Sequence, residues 1–172
     1  MTYESLKAVL IAFVQDNMGF AGPLVFAMGF AEGVPGLSLF VPSTALFLGI
    51  GGIHGSAGGT FWHVWLAGTA GAVLSDCAVY VLARQYGESV QHFRLLARHD
   101  SWLSRGQALI RNWGALAVLG GKFTGFMRPF IPAVAGMMGM PLWQFLPASV
   151  LSSLAWAGAF LAPGYGVSWW LG

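Results

Sequence analysis

Glu32, Asp76, Lys122 and Arg128 are charged side chains set in stretches otherwise apolar enough for a lipid bilayer. A charge at the centre of a membrane helix costs roughly 2.5–3.5 kcal/mol, and such residues face a cavity or a partner. Unpaired, the four would cost on the order of 10 kcal/mol, against a whole-fold stability of about 5–15 kcal/mol. They must pair or meet water. Their types define a chemistry. A guanidinium offers a planar fork of donors to a phosphate, and an ammonium adds a point charge. A carboxylate in a low-dielectric cavity has its ionised form disfavoured by desolvation, so it can take up and release a proton. Arg128 and Lys122 are the candidate phosphate-binding residues. Glu32 and Asp76 are the candidate proton-coupling residues, pairing alternately with those cations.

The backbone around the cations is also unusual. "GKFTGFMRPFIPAVAG", Gly121 to Gly136, carries Pro129 and Pro132 within an apolar run. "FVPSTALFLGI", Phe40 to Ile50, carries Pro42 in a run too short for a simple spanning helix. Apolar segments of roughly 10–14 residues are more often re-entrant or interfacial. Irregular backbone survives at membrane depth only where protein or a watery cavity covers it. Pro42, Thr44, Pro129, Pro132 and Gly136 are therefore expected to form hairpin tips whose open N–H groups add to an anion site.

These residues need elements to hold them, and composition says of what kind. The 172 residues are 56% hydrophobic and only 8% charged. Soluble domains average about 25% charged, so this chain cannot coat a globule and reads as an integral membrane protein. The 25 glycines suit close helix packing and broken helices. The net charge of +2 rests on few cations without an aromatic-basic platform, which argues against nucleic acid. Cys77 stands alone and reads as a small apolar helix residue. His54, His63, His92 and His99 show no metal-ligand spacing. No nucleophile–base–metal arrangement is visible, so the expectation is a non-enzyme without cofactor.

Along the chain, the start reads as a short interfacial helix rather than a signal peptide, because Ala8–Val14 runs into Gln15, Asp16 and Asn17 without a cleavage pattern. Leu10–Ala31 is expected to cross outward. A first hairpin around Pro35–Ile50 follows, then a glycine-rich loop, Gly49–Thr60. Phe61–Ala83 is long enough to return across a core of ~30 Å at about 1.5 Å per residue. Arg84–Arg111 holds five of the eight basic residues and is cytoplasmic by the positive-inside rule. Its charges read as a solvated helical face, with phosphate binding by Arg94 and Arg98 as the minor alternative. A second hairpin around Trp113–Met140 dips in from that side, and Trp143–Pro163 crosses outward. Gly68–Ala72 places small residues at helix-packing spacing.

Shifting the sequence by ninety residues lays Phe40 on Phe130, Pro42 on Pro132, Ala45 on Ala135 and Gly49 on Gly139. Ala67–Gly68 then meets Ala157–Gly158 without a gap, and Glu32 meets Lys122. The reading is a single all-α membrane domain over 1–172. It contains an inverted repeat of a re-entrant helical hairpin plus a transmembrane helix. The first copy covers about 20–83, the Arg-rich segment 84–112, and the second copy 113–172. Paired, proline-interrupted short segments in corresponding halves point to a transport site near the midplane.

The motifs resemble those of the DedA family of bacterial membrane proteins, the SNARE-associated or VTT domain group. Gly121, Lys122, Phe123, Arg128, Phe130, Pro132, Ala135, Gly136 and Met140 fall on its second-half pattern. Glu32, "FVPSTALFLGIGG" and "SDCAVYVLARQYG" resemble its first-half features, so the likeness spans Ala31 to Gly166. Thr44 stands where the family carries an acid, leaving carboxylate work to Glu32 and Asp76. Lys122 stands where Arg is common, and Gly125 replaces a proline. The resemblance implies a bacterial cytoplasmic-membrane transporter or flippase for the lipid carrier undecaprenyl phosphate, driven by the proton motive force. Membrane lipid and protons are the implied partners, and self-association is left open. The alternatives are a proton-coupled transporter of a small ion, osmolyte or drug, and a non-transporting scaffold.

Overall fold

The computed structural model describes residues 16–35, 37, 43–91, 100–124 and 128–171. Among them are seven helices and no strand: α1 Met18–Gly33, α2 Ser43–Ser56, α3 Phe61–Gln91, α4 Asp100–Trp113, α5 Ala115–Gly121, α6 Phe130–Met137 and α7 Leu142–Leu171. Two are long and apolar enough to cross a membrane, through Phe61–Tyr86 of α3 and Leu142–Gly166 of α7. Large apolar side chains such as Trp62, Leu66, Leu74, Trp143 and Leu151 stand exposed on these two helices. Such surfaces suit lipid rather than water.

Small residues bring the helices together. α1 packs along α3, and α2 along α7. A Cβ on Gly29 would stand 2.6 Å from the carbonyl oxygen of Gly68, and one on Gly71 would collide with that of Phe26. The Gly68–Ala72 stretch thus joins helix to helix through bare backbone, as small residues do in membranes. α6 lies against α3 in the same manner, since a Cβ on Gly136 would strike the Tyr80 carbonyl. α2 therefore rests on the last long helix, and α6 on the first long one.

Two apolar clusters flank the middle of the molecule. Tyr80 stacks on Phe145 with ring centroids 4.3 Å apart, among Ile110, Val118, Ile131 and Val134. Phe47 meets Trp156 edge-on at 4.8 Å, among Val25, Val64 and Leu161. Arg84 donates to the Met140 carbonyl at 2.9 Å, and the Tyr80 hydroxyl donates to the same oxygen. Both fasten the chain just beyond α6 to α3.

Several sequence expectations change. Gly49–Ser56 is helical rather than loop, and only the four residues 57–60 turn the chain. Packing explains this: a Cβ on Gly51 would stand 2.6 Å from the Leu161 carbonyl oxygen, so glycine is what lets α2 approach α7. The expected span Leu10–Ala31 lies partly outside the described residues. Its described part, α1, has 16 residues and covers about 24 Å at 1.5 Å per residue, short of a ~30 Å core. The segment after Arg84 continues α3 to Gln91, with non-helical angles at Tyr86. Arg94, Arg98, His92 and His99 lie outside the described residues.

Candidate functional site

The four charged residues come from four helices or their ends. Glu32 sits in the last turn of α1, Asp76 in the middle of α3, Lys122 at the C-cap of α5, and Arg128 two residues before α6. Helix polarity makes these placements unequal. The negative C-terminal end of α5 favours Lys122, worth typically ~0.3–1 kcal/mol. Glu32 lies at an end that disfavours an anion, and Arg128 at an end that disfavours a cation. Each therefore needs the other.

The structure makes that pairing and one more. Arg128 Nη1 meets Glu32 Oε1, and Lys122 Nζ meets Asp76 Oδ2. All four are buried, with exposures of 9% for Glu32, 3% for Asp76, 5% for Lys122 and 4% for Arg128. Both pairs join an element of the first half to one of the second.

The two pairs differ in completeness. Asp76 Oδ2 also accepts from Ser149 Oγ at 2.6 Å. Lys122 donates to Ser153 Oγ, which donates to the Ser149 carbonyl at 2.6 Å. Asp76 and Lys122 thus belong to a closed network anchored on α7. The other pair is open. Arg128 Nε and Nη2 and Glu32 Oε2 are buried and have no hydrogen-bond partner among the described residues. The guanidinium carbon lies 3.7 Å from the centroid of the Trp156 ring. That stack orients the fork and is worth ~2 kcal/mol or more when desolvated. What remains is a fixed, buried fork with unused donors beside one carboxylate, a geometry suited to a planar or tetrahedral oxyanion.

The expected hairpin-tip residues divide. Pro129 is the N-cap of α6. Pro132 and Gly136 lie inside α6 rather than in open backbone. Pro132 occupies the third helical position, where an N–H has no intrahelical partner anyway, so the proline starts the helix instead of breaking it. Gly136 serves the contact with α3. Thr44 is in the first turn of α2, and Pro42 lies outside the described residues.

Ser149, Ser153 and Trp156 were not among the sequence candidates. A signal existed. Ser149, Ser152, Ser153 and Trp156 follow a three-and-four spacing on one face of an otherwise apolar helix. Ser152 returns its hydroxyl to the Ser149 carbonyl at 3.0 Å.

The chain is 27% identical over 159 residues to the inner membrane protein YabI of Escherichia coli, covering 92% of this chain and 63% of that one. It is 29% identical over 162 residues to the uncharacterized protein MJ0201 of Methanocaldococcus jannaschii, covering 93% of this chain and 92% of that one. It is 31% identical to the inner membrane protein YohD of Escherichia coli over 102 residues, 59% of this chain and 52% of that one. The chain spans 62–63% of the length of YabI and of its Buchnera aphidicola relatives. No solved structure matches at a significant level. The profile described as "VTT domain" matches residues 35–166, and the chain belongs to this family, the DedA membrane proteins.

Proposed function

We propose that this protein carries a phosphate-headed lipid, undecaprenyl phosphate, across the cytoplasmic membrane with its movement coupled to protons, and that it transports rather than catalyses. The observation that carries the reading is Arg128: a buried guanidinium stacked on Trp156, with two nitrogens lacking a partner among the described residues. Glu32 neutralises it in the empty state. A phosphate arriving there adds a second anion to a dry site, and a proton on Glu32 removes the first. Guanidinium then pairs with phosphate instead of carboxylate, and no uncompensated charge stays buried. Loss of the proton restores the Glu32 pair and expels the lipid head. Lys122 and Asp76 hold the scaffold beside it and offer a second cation when Asp76 is protonated.

The fold reading that accompanies this is an inverted repeat. Its two broken elements are the hairpins around Pro35–Ile50 and Trp113–Met140, and Glu32, Lys122 and Arg128 lie within or beside them. The reciprocal packing of α2 on α7 and α6 on α3 is what two such copies produce. The Arg84–Arg111 segment faces the cytoplasm in this arrangement.

Proteoliposomes loaded with undecaprenyl phosphate test the proposal. The rate at which the lipid phosphate becomes accessible to an added phosphatase reports movement between leaflets. Wild type is expected to move it, faster under a proton gradient. Arg128→Ala, and Arg128→Lys with its charge but no fork, should be slower by about a hundredfold, the equivalent of ~2.7 kcal/mol. Wild-type rates in both variants would remove Arg128 from the site.

A further inference from the structure

Among the described residues, the Arg128 guanidinium is held at two places, the Glu32 carboxylate and the face of the Trp156 ring. In the proposed cycle a proton on Glu32 releases the first hold, so the stack alone then keeps the fork in place. What fixes the Trp156 ring therefore decides where the fork points.

Trp156 is buried on α7, and its ring meets two others. Phe160, one turn along the same helix, lies 5.3 Å away and tilted. Phe47 of α2 approaches edge-on at 4.8 Å, with the ring planes at 62°. Phe160 moves with α7, whereas Phe47 belongs to a separate element. Phe47 is fully buried and has little room: a Cβ on Gly68 of α3 would stand 3.1 Å from its Cε1. The next residue, Leu48, marks the seat of α2 on α7, because a Cβ on Gly164 would collide with the Leu48 carbonyl oxygen. Phe47 thus touches Trp156 where the backbones of α2 and α7 meet.

We infer that Phe47 is a positioning residue for Arg128, acting through Trp156, so that the seat of α2 on α7 sets whether the guanidinium fork is presented to an anion. The physical reason is the quadrupole of the indole ring, whose face is negative and whose edge is positive. A cation is attracted only over the face, within about 6 Å of the centroid. With α2 seated, the Phe47 edge holds the Trp156 ring at the angle that turns its face to Arg128. With α2 lifted from α7, the ring turns, its edge comes round to the cation, and the fork loses its aim. The inference deepens the carrier reading by naming what regulates Arg128, and it rests on that reading for the anion. The chain of contacts from α2 through α7 to Arg128 is the same whichever anion arrives.

Two readouts on the full chain in detergent test it. The first is the side-chain Nε–Hε resonance of Arg128 in protein labelled with nitrogen-15 arginine, identified by its loss in Arg128→Lys. Phe47→Leu should shift this resonance. Phe145→Leu, the same change in the other apolar cluster, should leave it in place, although both variants lower the unfolding midpoint. Trp156→Leu should shift it further, Trp156→Phe should restore part of the shift, and Phe47→Leu should add nothing once Trp156 is Leu. Phe47→Met loses less volume than Phe47→Leu and should shift the resonance in the same direction. The second readout is binding of dodecyl phosphate by native mass spectrometry. Phe47→Leu should weaken it by about threefold to tenfold, the size of one aromatic edge contact, and Phe145→Leu should not. An unmoved Arg128 resonance in both Phe47 variants overturns the inference, and so does an equal shift in Phe145→Leu. If the resonance moves as expected but wild type binds no dodecyl phosphate, the carrier reading fails and the positioning of Arg128 by Phe47 stands.

Discussion

Arg128 and Lys122 look alike in the sequence, each a cation in an apolar run, but their surroundings assign them different work. Lys122 is enclosed by Asp76 and Ser153, with Ser149 completing the carboxylate. Removing Lys122 strands a buried carboxylate, and breaking such a pair from one side costs about 3–5 kcal/mol. Lys122→Ala should therefore sharply lower the thermal unfolding midpoint in detergent. Adding Asp76→Asn should restore most of the loss, because the stranded charge is gone. A single variant as stable as wild type would mean that the pair is not formed. The four charges were legible from the sequence because a charge in a greasy run must be compensated. The serines were not, because a hydroxyl can return its hydrogen bond to its own helix and so pass unnoticed.

At the scale of elements, the breaks matter more than the helices. α5 and α6 have only seven and eight residues, and the segment between them carries both cations. Arg128 is positioned by how α6 seats on α3, and Gly136 sets that seat. Gly136→Val should displace α6, because the added atoms meet the Tyr80 carbonyl and stand about 3.1 Å from the Arg84 nitrogen. The expected cost is ~1–3 kcal/mol from overpacking, with loss of transport beyond the loss of fold. Gly49→Ala is the contrast. Nothing lies within 4 Å of a Cβ there, so stability should hold or rise by ~0.5–1 kcal/mol. Equal effects of the two substitutions on unfolding and transport would contradict this packing. The same contrast explains the misread of Gly49–Ser56. Glycine spacing predicts a loop or a close helix contact equally well, and only the position of α7 decides.

At the scale of the whole molecule, two halves meet through charge as well as through packing. Glu32 and Asp76 come from the first half, Lys122 and Arg128 from the second, and each ion pair joins the halves. Any relative movement of the halves must break or exchange those pairs, and in the proposed function this is what would link conformation to proton and anion binding. The ninety-residue shift already put Glu32 over Lys122, although Glu32 pairs with Arg128 instead. A linear repeat cannot tell which partners a fold will cross. The most direct measurement is binding of undecaprenyl phosphate to the purified protein by native mass spectrometry, comparing wild type, Arg128→Ala and Glu32→Gln. The account predicts binding by wild type, a loss of about tenfold or more in Arg128→Ala, and equal or tighter binding in Glu32→Gln. Binding of the lipid by folded Arg128→Ala as tightly as by wild type would contradict it.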